Sequence, residues 1–304
     1  MNKITKLPIA IGGLSLSLFA LGNAIEEYLP IMRYFLGGIA LLLYLMLLIS
    51  LMSNFKAYKK ELHNPVVASI FPTLFMQGML LDTYSTLLPT SLKFLIPIFN
   101  FIWWGSFLVQ LLYIILFSLY FLKNFDLKNV FPSWAVLYLG IGVASLTAPI
   151  TGYYNLGRIV FWYLFIVIFI LLPLVFLRLY KFGIPNSIKT NIATLCAPSL
   201  VVVAYLNTFE EVNRLLLLFL ILLAQSLYFG VLYYLPKLIS DNFTPAFSAL
   251  TFPLVISAVA LKGALLNFSF HSILCPLFYF EFLVAILVII RVSIGYVNYF
   301  IKHL

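Results

Sequence analysis

Charged side chains are scarce in this sequence. Asp, Glu, Lys and Arg together make up 9% of 304 residues, against about 25% in soluble domains, which excludes a globule surrounded by water. Histidine is sparser still. His63, His271 and His303 fall in loops and the tail, so no metal site forms from sequence neighbours, and no metal or other cofactor is expected. An HExxH motif is absent, as is any acidic pair with the spacing of an intramembrane prenyl transferase, and no glycine loop could cradle a phosphate. Catalysis and ATP-driven pumping therefore drop out as readings of this chain. The two cysteines, Cys196 and Cys275, fall near opposite ends of their helices and on opposite membrane sides, too far apart for a disulfide. Long polar stretches are missing too, so no extramembrane domain larger than a loop is expected.

What remains is apolar. Hydrophobic residues reach 64% and the mean hydropathy is +1.11. A bilayer core needs about 20 apolar residues per helix. Ten segments meet that need, at about 7–25, 31–54, 66–84, 92–122, 132–152, 156–177, 191–208, 214–235, 245–263 and 272–295. The fold class expected is all-α and integral to the membrane, as a single domain over 1–304. Only Lys3 and Lys6 precede the first apolar run, and no small-residue cleavage site follows it, so that run reads as a retained span rather than a signal peptide.

The basic residues have a side. Loops between hairpins hold Lys56, Lys59, Lys60, Lys123, Lys128, Arg178, Lys181, Lys189 and Lys237, and Lys3, Lys6, Arg291 and Lys302 join them. Hairpin tips hold only Arg33, Lys93, Arg158 and Arg214. The positive-inside rule makes both termini cytoplasmic, in a cell inner or plasma membrane. An even number of spans demands the same. The formal charge of +9 thus reports orientation and some attraction to anionic lipid, not a nucleic-acid partner.

The spans come in two styles. Odd-numbered ones begin near 7, 66, 132, 191 and 245, at intervals of roughly 60 residues, which reads as a fivefold structural repeat. They carry prolines, glycines and hydroxyl residues, whereas the even ones are mostly plain runs of Leu, Ile, Phe and Tyr. Pro8, Pro132, Pro198 and Pro245 stand at or near starts, and Pro72 and Pro253 lie about two turns in. Proline inside a helix removes a hydrogen bond, so Pro72, Pro198 and Pro253 are read as kinks. Membranes tolerate such breaks where neighbours or water satisfy the freed carbonyls. Five hairpins, each pairing a broken helix with a plain one, predict a quasi-five-fold ring around a central pore.

Polar groups within spans concentrate on the odd helices. Ser69, Thr73 and Gln77 follow at i, i+4 and i+8, on one face of a helix. Ser15, Ser145, Thr194, Ser199, Ser248 and Thr251 complete the expected lining, with Ser17, Thr147 and Ser257 nearby. Hydroxyls replace part of an ion's hydration shell without fixing a strong charge, which suits weak, multi-site passage; they also suit helix packing. Ionisable residues in spans need partners. Asp82 and Lys262 both come near outer ends, where they could pair or flank a mouth, and Glu281 is the most deeply placed carboxylate. These three are candidates for a mouth or coupling charge.

Several stretches, in order along the chain, resemble the tellurite-resistance/dicarboxylate transporter family, which includes the plant slow-type anion channels. They are Glu61-Leu62-His63-Asn64-Pro65, Phe131-Pro132-Ser133, Ala197-Pro198 with Ala204-Tyr205, and the run from Phe243 to Pro253. The His63-Asn64-Pro65 spacing departs from the tighter His-Pro of the family, so His63 receives no role. The resemblance implies five inner helices ringed by five outer ones, a homotrimer with one pore per subunit, and an aromatic gate at Phe252. It makes the expected function passage of small inorganic or organic anions by a channel or channel-like transporter. The alternative within the family is a proton-coupled C4-dicarboxylate transporter or a tellurite or sulfite exporter.

Overall fold

A computed structural model describes residues 6–123, 125–240, 242–268 and 271–303; Lys3 lies outside them. Among the described residues every regular element is helical. We number the helical spans α1 Ile11–Ile25, α2 Pro30–Ser53, α3 Pro65–Leu87, α4 Thr90–Lys123, α5 Trp134–Thr151, α6 Tyr154–Phe182, α7 Asn186–Thr208, α8 Arg214–Ile239, α9 Pro245–Leu265 and α10 His271–His303. All but α1 are long and apolar enough to cross a membrane. A short helix, Phe55–Glu61, joins α2 to α3. The first span starts at Ile11 rather than residue 7 because Pro8 and Ile9 form a preceding turn, their carbonyls accepting from the Ile11 and Gly12 amides at 3.0 Å each.

Odd and even helices differ most in burial. In the most apolar stretches of α3, α5, α7 and α9, 67–78% of residues are inside the protein; in α2, α4, α6, α8 and α10 the share is 22–39%. In α1 every residue from Ile11 to Gly22 is buried. The odd helices touch one another in the order α1, α3, α5, α7, α9 and back to α1. Each even helix packs against its hairpin partner and the next odd helix, so α2 meets α1 and α3, and α10 meets α9 and α1.

The odd helices are also irregular along their length. In α3, Asn64 caps the start by accepting from the Val66 and Val67 amides, and the helix is interrupted at Phe71-Pro72 before resuming at Thr73. The seventh span is a tight 3-10 stretch to Cys196, with Ile188 off the helical path, and becomes α-helical only after Pro198. The ninth changes from 3-10 to α at Thr251, two residues before Pro253. Proline alone does not cause such breaks. Pro173, Pro236 and Pro276 lie inside the even helices α6, α8 and α10, which continue through them. Proline therefore does not separate the two styles as cleanly as the sequence suggested; continuity of the helix does.

Close packing uses small residues, as membrane helices do. A side chain at Gly78 would collide with Ser106 of α4, and one at Gly13 would reach 3.1 Å from the Ser248 carbonyl of α9. Polar bonds add direction: Ser69 Oγ donates to Ser133 Oγ at 2.7 Å, Thr251 Oγ1 to the Gly13 carbonyl at 3.1 Å, and Trp103 Nε1 to Thr147 Oγ1 at 2.9 Å.

Candidate functional site

The N-terminal halves of all five odd helices surround a cavity of about 540 Å³. Gly13 and Leu16 come from α1, Thr73 from α3, Val136 from α5, Thr194 from α7, and Ser248 and Phe252 from α9. The segment Lys6 to Ala10 and Glu61 close its open end. Among the described lining residues, Lys6 and Glu61 alone carry charge, and they form an ion pair. The rest of the wall is apolar or bears neutral hydroxyl and amide groups. Phe252 is 8% exposed and lies against the cavity.

Thr73, Thr194, Ser248, Phe252 and Pro253 line this cavity, and Ser15, Ser69, Gln77, Ser145, Ser199 and Thr251 are not among its lining residues. Ser15 Oγ donates to the Ala40 carbonyl of α2 at 2.8 Å, and Ser145 Oγ to the Gly157 carbonyl of α6 at 2.9 Å. Ser69 bonds across to α5, and Thr251 to α1. Gln77 Nε2 donates to the Thr73 carbonyl at 3.1 Å beside Gly12, and its Oε1 has no partner. Ser199 Oγ is buried without a partner. Pro72 and Pro198 stand where α3 and α7 resume as α-helix. Asn191 also lines the cavity; one turn before Thr194, it shares that residue's helix face, a register that could have revealed it.

The lining hydroxyls are not free donors. Thr73 Oγ1 donates to the Ile70 carbonyl at 2.9 Å and Thr194 Oγ1 to the Asn191 carbonyl at 2.6 Å. Ser248 Oγ shares a 2.7 Å bond with the Tyr296 hydroxyl of α10. A hydroxyl that already donates to its own backbone offers a passing solute a weak dipole rather than a firm ligand.

A second cavity, of about 490 Å³, opens at the opposite end against Asn23, Glu26, Glu27, Val259, Lys262 and Phe278. From Leu16 to Asn23 on α1, and from Phe252 to Val259 on α9, is seven residues, about 10 Å of helix. Within that interval Leu18, Phe19, Leu254, Val255 and Ile256 are all buried.

The charges at this end are tied down. Lys262 pairs with Glu27, and its Nζ lies 5.0 Å from the Tyr28 ring and 5.7 Å from that of Phe278. Of the two possibilities the sequence left for Asp82 and Lys262, a mutual pair or separate places at a mouth, the pair does not form. Lys262 is held by Glu27 on the α1–α2 turn, and Asp82 is buried at the start of the 3-10 stretch that ends α3. Arg33, read from sequence only as a hairpin-tip charge, is buried. Its guanidinium pairs with Glu26, donates to the Thr83 carbonyl at 2.6 Å and to Thr86 Oγ1 at 3.1 Å, and lies 5.1 Å over the Tyr84 ring.

Glu281 is fully buried, away from the cavity lining. Ser257 Oγ donates to its Oε2 at 3.1 Å, while Oε1 has no partner. Cys196 of α7 and Gln225 and Tyr228 of α8 lie beside it. Among the described residues no cluster of His, Cys, Asp and Glu could hold a metal ion.

Comparison with known families gives a match over residues 6–294 to the family described as SLAC1, voltage-dependent anion channel. No individual curated protein matches the chain.

Proposed function

The chain belongs to the SLAC1 family of voltage-dependent anion channels, and from that premise we propose that small anions pass along the axis of the five odd helices, with Phe252 as the gate. The family, whose resemblance to tellurite-resistance and dicarboxylate transporters is visible in the sequence, consists of membrane channels and transporters for anions. One observation carries the finer reading: Phe252 lies against a cavity whose wall is drawn from all five odd helices and is almost free of fixed charge. An aromatic ring is large and apolar, and one rotamer change moves it, so it can close a neutral passage and reopen it at small cost. Beyond it the path narrows to packed aliphatic side chains, the kind of constriction that excludes ions by dewetting. Selectivity then comes from dehydration cost and from the field at the mouth. Both termini face the cytoplasm, and the functional unit is a homotrimer with one pore per subunit.

The coupled-carrier alternative needs a titratable group on the substrate's path. Its best candidate, Glu281, lies behind the cavity wall rather than in it, which favours the channel. The test is anion flux in liposomes holding the full chain. Phe252→Ala should raise flux by about tenfold or more, with half-saturation moved to higher anion concentration, as removing a plug does. An unchanged flux that saturates and depends on a proton gradient would refute the gate and favour a carrier.

A further inference from the structure

Lys6 and Glu61 stand at the open end of the cavity, and sequence reading had assigned one to membrane orientation and the other to a family-like motif. Their position is built rather than incidental. The Leu7 amide donates to Ser50 Oγ of α2 at 3.0 Å, and the Tyr58 hydroxyl donates to the Leu7 carbonyl at 2.6 Å. The Ser50 and Tyr58 hydroxyls lie 2.7 Å apart. Tyr58 is 1% exposed, and burial pushes its hydroxyl above the ordinary phenol range, so it remains a neutral donor. Both backbone polar groups of Leu7 are thereby fixed to the α2 end and the short helix after it. Lys6 Nζ lies 5.0 Å above the Tyr58 ring and pairs with Glu61.

The stem is clamped while the charged heads are wet, at 31% and 43% side-chain exposure. An ion pair that exposed is weak and exchanges readily. Among the described lining residues, an arriving anion finds Lys6 as the one cation, already neutralised. A bare lysine at that place would hold a permeant ion too firmly, and conduction needs sites weak enough to leave.

Resting on the channel reading above, we propose that Lys6 captures small anions at the inner mouth and that Glu61 is its built-in competitor. The arriving anion displaces the Glu61 carboxylate from the ammonium, and the returning carboxylate releases the anion into the hydroxyl-lined cavity. No bond is made or broken covalently; one counter-ion replaces another.

Two measurements test this on the full chain. In planar bilayers, in the Phe252→Ala background, chloride is varied on the side of the inner mouth. Glu61→Gln should lower the half-saturating chloride about threefold and Lys6→Gln should raise it about threefold, both effects shrinking at high salt. Lys6→Arg, which keeps the cation, should match the parent and shows that the segment still folds. Half-saturation indifferent to both neutralising variants would overturn the proposal. The second readout needs no conduction: the rate of Lys6 methylation by formaldehyde and a neutral borane, followed by mass spectrometry in chloride or gluconate. Chloride should slow the labelling, and should do so at several-fold lower concentration in Glu61→Gln. Equal chloride dependence with and without Glu61, or none, would overturn the capture role. Loss of current in every background would instead refute the channel reading, and labelling would still decide on Lys6.

Discussion

Beside the first cavity a lysine meets a glutamate, with both side chains partly exposed. At the opposite end a lysine and an arginine each meet a glutamate too, but Lys262 lies near two aromatic rings and Arg33 is buried with its guanidinium on a backbone carbonyl. The ingredients are the same and the roles differ. Lys6 and Lys262 are equally exposed, at 31% and 30% of the side chain, and each lies over a tyrosine ring. It is Arg33, desolvated and bonded to a carbonyl and a hydroxyl besides its glutamate, that differs from a charge able to exchange its counter-ion.

Breaking the outer arrangement should be costly where it is buried. Arg33→Ala removes one of the two donors to the Thr83 carbonyl, leaves Glu26 without its partner and uncovers the face of Tyr84, and should lower stability by about 2 kcal/mol, read as a drop in the melting midpoint in detergent. Flux per folded molecule should remain that of the parent. A melting point unchanged by that substitution would erase the contrast between the two ends. Glu281→Gln keeps the shape and the Ser257 bond but cannot carry a proton, and should leave anion flux within about twofold at neutral and mildly acidic pH, as expected for a buried polar group off the path. Loss of a proton-driven component would move Glu281 into the mechanism. The smallest effect belongs to Lys262→Gln. Its partner Glu27 is well exposed, so stability should shift by no more than about 0.5 kcal/mol, and half-saturation from the inner side should stay fixed where Lys6→Gln moves it.

The helical spans were readable because apolar runs are a property of composition. The division into buried and lipid-facing helices was readable from style alone, since hydroxyls and glycines gather where helices pack closely. The lining was not. Ser69 shares a face with Thr73 and Gln77 only if α3 is one uninterrupted helix, and the break at Phe71-Pro72 separates its register from theirs; Thr73 and Gln77 lie on one continuous stretch after the break and both approach Gly12 of α1. Thr73 reaches the cavity, while Ser69 turns to α5 and Gln77 toward α1. The partners of Ser15 and Ser145 were illegible for another reason: a hydroxyl buried between helices takes a nearby carbonyl, here that of Ala40 or Gly157, and sequence does not say whose that is. Lys6 and Glu61 are 55 residues apart, and only the fold of the α2–α3 connection brings them together.

The layering of broken helices inside unbroken ones inverts the usual meaning of a surface. Residues of α4 and α6 that face outward meet hydrocarbon, so their amides are dry and bonded along continuous helices. The 3-10 stretches of α7 and α9 lie beside the cavity instead. In hydrogen–deuterium exchange the protected residues should therefore be those of the peripheral helices and the fast ones those of the 3-10 stretches beside the cavity.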